Sequence, residues 1–272
     1  MIHTPPTRLL ERPEGVVSYD ATDVEGPLVI AAPGMGDLRH SYRHLRAGLE
    51  SAGIRFAAMD LRGMGESSTD WSQLDDEAVA SDYLALIDEL GGGPAVLVGN
   101  SLSAASAVIA ATDAPDRVVG LVLLGPFVRD VPMAWWQQAL FTTMLMPPWG
   151  RSAWVGYYKK NLYPGSPPPD HAEYVASLDA NLREPGRYAA FRAITTSSHA
   201  ESGRRLDRIE VPVTVVMGTA DPDFPDARVE AEEIAEIMEA DVVWSEGSGH
   251  YPQAETPELV IEAIEEVVRR AG

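Results

Sequence analysis

The sequence predicts an α/β fold: a mostly parallel central sheet covered by helices on both faces, with a helical insertion. Three observations carry this. Between residues 28 and 124, short apolar runs alternate with helix-length stretches across close connections, the pattern of parallel strands joined by right-handed crossovers. The runs are too short for helices and apolar throughout, as strands buried on both faces are. The rhythm stops after Gly125 and resumes at Val213, so one α/β unit is interrupted rather than followed by another.

Taken in order, the polar, proline-interrupted opening supplies one or two edge strands, with Val16-Val17-Ser18-Tyr19 the best candidate. Leu28–Ala32 is a strand stopped by Pro33-Gly34, and Arg43–Ala52 a helix ending near Gly53. Phe56–Met59 is a strand closed by the turn Asp60–Gly65. Asp75–Leu90 has helical spacing, with Val79, Tyr83, Leu86, Ile87 and Leu90 on one face, and three glycines end it. Strand Ala95–Val98, an alanine-rich helix Leu102–Ala111 and strand Val118–Leu124 follow. Residues 128–205 then hold many aromatics, the proline run 167–169, and helical pieces around Ala134–Leu145, Ala153–Asn161 and His171–Leu182. Strand Val213–Met217, helix Val229–Met238, strand Val242–Trp244 and helix Pro257–Arg270 restore the rhythm. The chain therefore divides into a first core part over 1–127, a helical insertion over 128–205 and a second core part over 206–272.

Composition narrows the function. The 272 residues are 45% hydrophobic and 23% charged, a globular balance rather than a disordered one. There are 41 acidic and 21 basic residues, a net charge of −20, with Lys159 and Lys160 the only lysines. Such a chain repels phosphate backbones and anionic lipid, so neither nucleic acid nor a membrane is expected as a partner. With no cysteine, disulfides, thiolate metal sites and cysteine nucleophiles are excluded. Neither a signal peptide nor a membrane-spanning stretch is evident, so a cytoplasmic location is the expectation. No metal or cofactor is expected either: Gly34-Met35-Gly36 lacks the third glycine of a dinucleotide fingerprint, Arg39 standing there, and lacks a Walker lysine.

The chemistry gathers at strand ends. Ser101 sits in Gly99-Asn100-Ser101-Leu102-Ser103, between a strand and a helix, with small residues two before and two after it. This is the arrangement of a nucleophile elbow, with Ser103 where its usual form has glycine. A serine hydroxyl needs a base. His250, in Gly247-Ser248-Gly249-His250-Tyr251-Pro252, follows a strand at the edge of the sheet where ligands bind. The base needs an orienting carboxylate, and Asp221 follows the strand Val213–Met217, with Asp223 its rival two residues on. Singly, each has a plain structural reading: a helix cap, a loop histidine, an Asp-Pro turn. Jointly, Ser101, Asp221 and His250 each follow a different strand of one sheet. The turn Ala32-Pro33-Gly34-Met35-Gly36-Asp37 lets backbone N–H groups point into a pocket, and the amides of Met35 and Leu102 are the candidate oxyanion donors. Among the remaining histidines, His40 and His44 are four apart but lack a third ligand, His3 lies in the tail, and His171 and His199 read as surface residues.

These segments carry a resemblance. APGMGD, DLRGMGESS, VGNSLS, GTADPD and GSGHYPQAETPE stand in the order and at the intervals of the α/β-hydrolase family, and the chain resembles that family over nearly its whole length. The resemblance implies the α/β-hydrolase fold with a helical lid between Leu124 and Val213. It also implies Ser101 as nucleophile, His250 as base, Asp221 as orienting acid, and Met35 and Leu102 as oxyanion donors. Two features depart from the family pattern: Ser103 replaces glycine, and Ala32-Pro33 stands where many members have His-Gly. Haloalkane dehalogenases and epoxide hydrolases of the family carry aspartate at the elbow, which disfavours both activities for a serine. The expected function is hydrolysis of a small, apolar carboxylic ester through an acyl-enzyme on Ser101. The same triad serves lactone, thioester or C–C bond hydrolysis or perhydrolysis, and a small-molecule sensor on a hydrolase scaffold is the alternative of another class. Gly34, Trp135, Trp136 and Tyr251 are the candidate substrate contacts.

Overall fold

The computed structural model describes residues 5–131 and 134–272; His3 lies outside them. An eight-stranded sheet in the order β1-β2-β4-β3-β5-β6-β7-β8 forms the centre. Its strands are β1 (Arg8–Arg12), β2 (Gly15–Ala21), β3 (Leu28–Ala32), β4 (Arg55–Met59), β5 (Ala95–Asn100), β6 (Val118–Leu124), β7 (Val213–Gly218) and β8 (Asp241–Ser245). β2 pairs antiparallel with both β1 and β4. Every other pairing is parallel. Val16–Tyr19 therefore lie one place in from the edge. The edge itself is β1, whose sequence Arg-Leu-Leu-Glu-Arg is too polar to announce a strand.

The helices are α1 (Arg46–Ser51), α2 (Asp76–Glu89), α3 (Ser103–Asp113), α4 (Trp135–Met144), α5 (Gly150–Asn161), α6 (His171–Arg183), α7 (Arg187–Ile194), α8 (Ala200–Gly203), α9 (Ala227–Met238), α10 (Pro252–Glu255) and α11 (Pro257–Ala271). Side chains alternate across each strand, and both faces are covered. Val29 and Ala31 of β3 and Val96 and Val98 of β5 pack with Leu45 and Leu49 near α1 and with Val260, Ile264 and Val267 of α11. Ile30 and Leu97 face the other way, toward Tyr83 and Leu86 of α2, Val108 of α3 and Ile234 of α9. This double burial is why β3 and β5 are apolar at every turn of the chain rather than at alternate residues. The buried positions of α11, Val260, Ala263, Ile264 and Val267, follow the one-face helical spacing.

Between β6 and β7 the described residues form helices α4 to α8 and no strand. α7 and α8 were not expected from the sequence: they are short, and α8 has little apolar content to show a period. The aromatics of this segment range from core to solvent, with Phe141, Tyr157 and Tyr188 half-buried. Trp154, Tyr158, Tyr163 and Tyr174 are buried, and Tyr158 and Tyr163 each pack 5.1 Å from the ring of Tyr251 in the core. Trp135, Trp136 and Trp149 are exposed. No helix among the described residues is long and apolar enough to cross a membrane.

Candidate active site

Ser101 occupies the two-residue gap between β5 and α3, with φ 57°. That is the left-handed region for a residue other than glycine, a strained geometry costing about 1–3 kcal/mol that persists where surroundings enforce it. The surroundings do so here. Ser101 N donates to Leu124 O at 2.9 Å, and Asn100 Nδ2 donates to Leu124 O at 2.9 Å and to His250 O at 3.1 Å. Close approach of strand and helix requires Gly99, because a Cβ there would lie 2.5 Å from Ser103 O and 2.6 Å from Ala104 N.

Ser103, at the position of the expected glycine, has a structural reason of its own. Its Oγ donates to Ala32 O at 2.5 Å and accepts from Asn100 N at 2.9 Å, tying the end of β3 to the turn. Ser103→Ala leaves a buried N–H and a buried carbonyl with one partner fewer, and is expected to destabilise the fold by about 1–3 kcal/mol in urea denaturation. An unchanged midpoint would count against this bridging role.

Asp221 follows β7 and His250 follows β8, and their loops meet at the same edge of the sheet. His250 Nδ1 is 2.7 Å from Asp221 Oδ2 and 3.7 Å from Asp223 Oδ2. The structure thus places Asp221 within hydrogen-bond distance and Asp223 beyond it. Asp223 is held separately: its N–H donates to Asp221 Oδ1 at 3.0 Å, and the Tyr157 hydroxyl of α5 donates to its carboxylate. Burial alone pushes the His250 imidazole down, but the carboxylates of Asp221 and Asp223 outweigh it and raise it to about 9. Burial also raises Asp223 above the usual carboxylate range, against the opposing pull of His250. A carboxylate bonded to Nδ1 assigns the proton to that nitrogen and leaves Nε2 as the accepting atom of the neutral ring.

Ser101 and His250 line one cavity of about 460 Å³, together with Met35, Leu102, Trp154 and Tyr251. The structure records no hydrogen bond between Ser101 Oγ and the His250 ring; in hydrolytic sites this bond is commonly long until substrate is bound. Among the described residues neither the Met35 nor the Leu102 amide donates to a protein acceptor. Gly34 approaches Ser101 so closely that a Cβ on it would lie 2.8 Å from Ser101 Cβ. It makes room for the serine rather than lining the cavity. Trp135 and Trp136 do not line it either: they are 81% and 55% exposed, and Gln138 and Phe141 of the same helix take the wall instead. α4 has no buried residue: Trp136 is on another face from Gln138 and Phe141, and Trp135, on the side of Gln138, is at the exposed first turn, one turn short of the wall.

Several residues at this site gave no signal in the sequence. Phe127 stacks on Phe224 at 4.6 Å and sits 5.9 Å from the His250 ring. Asp37 is fully buried behind the Met35 turn, accepting from Leu38 N at 2.8 Å and from the Tyr174 hydroxyl; burial raises its carboxyl to about 6. His171 and His199, read as surface residues, are not. His171 is buried with its ring 4.3 Å from that of Tyr163, and His199 lines the cavity. His44 Nε2 meets Asp170 Oδ1 at 3.2 Å, and neither it nor His40 joins a metal-ligating group of three among the described residues. The group that does have ligating atoms within 4.8 Å of one another is Asp221, Asp223 and His250, where a cation would compete with the hydrogen bond on Nδ1.

Comparison with known proteins bears on the family of the chain and on its fold. Epoxide hydrolase 2 of Siraitia grosvenorii is 35% identical over 121 residues, 43% of this chain and 38% of that protein. Lipase LipV of Mycobacterium tuberculosis is 43% identical over 77 residues, 28% of each. The chain therefore spans well under half the length of these relatives. An esterase from Thermogutta terrifontis superposes with a TM-score of 0.80 at 25% identity, covering 98% of this chain and 99% of that one. The enol-lactonase from Burkholderia xenovorans LB400 shares the fold with a TM-score of 0.77 at 20% identity, covering 94% and 97%. Residues 29–263 match the alpha/beta hydrolase family. A mostly parallel sheet with a strained strand–helix turn at the carboxyl end of β5 fits that match, and the chain belongs to the alpha/beta hydrolase family.

Proposed function

We propose that this protein is a hydrolase that cleaves a carboxylic ester through an acyl-enzyme on Ser101. The observation that carries the reading is an imidazole held 2.7 Å from a buried carboxylate, in the same cavity as a serine on a strained turn. Ser101 Oγ attacks the ester carbonyl while His250 Nε2 takes its proton, and Asp221 holds the ring and balances its charge. The unpaired amides of Met35 and Leu102 receive the oxyanion, each such donor lowering the barrier by about 3–4 kcal/mol. His250 then protonates the leaving alcohol and activates the water that releases the acid.

The choice of bond follows from the choice of nucleophile. Serine attack on an ester gives an acyl-enzyme whose carbonyl water can attack. Serine opening of an epoxide would give an alkyl ether with no carbonyl, which this machinery has no means of hydrolysing. The epoxide-hydrolase relatives therefore support the scaffold rather than their substrate for this chain. Helices α4–α8 act as a lid, and the Phe127, Phe141, Trp154 and Ile194 side chains favour an apolar acyl or alcohol group. A fluorophosphonate probe, which reacts only with an activated serine, is expected to label the protein at the peptide containing Ser101. Labelling elsewhere, or none, with no hydrolysis of short-chain aryl esters would overturn the proposal.

A further inference from the structure

A second imidazole–carboxylate pair faces the same cavity, and the mechanism above does not use it. His199 Nδ1 lies 2.7 Å from Asp76 Oδ2. Asp76 is buried in the first turn of α2, and its other oxygen has no partner. A buried carboxylate bonded to Nδ1 fixes the ring and assigns the Nδ1 proton, so in the neutral ring Nε2 carries the lone pair. Beside it stands Asp130, which accepts from Ser198 Oγ at 2.8 Å and from His199 N at 2.7 Å and also lines the cavity. The Phe127 ring lies 5.9 Å from the His250 ring and 6.4 Å from the His199 ring. The two imidazoles thus neighbour the same phenyl ring in one cavity. Among the described lining residues the titratable side chains other than Tyr251 are Asp130, Asp223, His199 and His250, and none is lysine or arginine.

We propose that His199, fixed by Asp76 and flanked by Asp130, is a second polar subsite that accepts a hydrogen bond from a donor group on the substrate, remote from the scissile bond. The subsite rests on the ester reading for its place in catalysis, though its binding does not require turnover. The Asp130 carboxylate and Nε2 of the neutral His199 ring are acceptors, and no described lysine or arginine lines the cavity, so a terminal hydroxyl or ammonium fits at this end and Asp130 repels a terminal carboxylate. The apolar stretch past Phe127 carries the chain between the two ends. The preferred substrate is then an ester bearing a free hydroxyl or amine at its far end.

The test measures binding to the Ser101→Ala protein by calorimetry, using butyl pentanoate and its analogues with a terminal hydroxyl, ammonium or carboxylate on either the alcohol or the acyl chain. At least one donor-bearing analogue is expected to bind about five- to tenfold more tightly than the parent, the range one well-made hydrogen bond supplies, and the carboxylates more weakly. A hydroxyl and an ammonium are told apart by salt: only the ammonium advantage falls with ionic strength. In His199→Leu the advantage is expected to vanish, and in Asp76→Asn, whose amide donates to Nδ1 and moves the ring proton to Nε2, to turn toward the carboxylate. Equal affinities, or an advantage that survives His199→Leu, would overturn the subsite. Wild-type protein that binds the donor analogues but hydrolyses none of them would overturn the ester reading instead.

Discussion

Ser101→Ala is expected to lower hydrolysis of a short-chain aryl ester about 10⁴- to 10⁶-fold. The loss is this large because every later step needs the acyl-enzyme, and the oxyanion amides alone provide only the residual rate. Ser101 Oγ makes no hydrogen bond that holds the fold, since the turn is pinned by the backbone of Ser101 and the side chains of Asn100 and Ser103. Thermal unfolding of the variant should therefore stay close to that of the parent. Wild-type rates in the variant would remove Ser101 from the chemistry; a collapsed melting transition would show that the hydroxyl is structural.

Substitution of the two carboxylates beside His250 should separate them. Asp221→Asn is expected to lower kcat about 10⁴-fold. The asparagine amide donates to Nδ1, forces the ring proton onto Nε2 and leaves no lone pair toward Ser101. Asp223 is 3.7 Å from Nδ1, so Asp223→Asn removes charge without disturbing the tautomer. Its effect is on the pH profile. Only neutral imidazole accepts the serine proton, so kcat/KM of the parent rises with pH through a value of about 9. Removing the Asp223 charge favours the imidazolium less, and the rise should move to lower pH. A profile unmoved by Asp223→Asn, or an Asp221→Asn enzyme at full activity, would reassign the pair. The same raised imidazole has a consequence for stability. The charged ring contributes fully below its ordinary value of about 6.5, and the contribution is lost as pH rises through about 9. Resistance to unfolding by urea should accordingly fall as pH rises across that window.

Much of the fold is legible in the chain because its signals are local. β3, β5 and β7 are continuous apolar runs cut by glycine or proline, and α2 and α11 carry one-face spacing. β1, α7 and α8 are not legible: β1 is polar, the one-face spacing of Ala190, Phe191 and Ile194 in α7 covers too few residues to stand out, and α8 is a single turn. The candidate site divides the same way. Ser101, Asp221 and His250 stand out because each sits in a small-residue turn directly after a strand. Trp135 and Trp136 look like pocket residues by composition, and only the tertiary structure shows them in solvent, on a helix with no buried residue.

The sequence by itself determined the strand–helix alternation of the core, the sheet edge at which the candidate residues gather, and the residues singled out there, with Asp223 as the rival of Asp221. Periodicity and turn chemistry depend on near neighbours, and a single chain displays them. Tertiary structure alone decided which acid bonds His250, that Tyr157 holds the other, and that His199 and Asp76, 123 residues apart, meet at the cavity wall. Those contacts join segments whose separation in the chain carries no trace of their distance in space. They exist because the sheet and the helices over it bring distant loops to one edge.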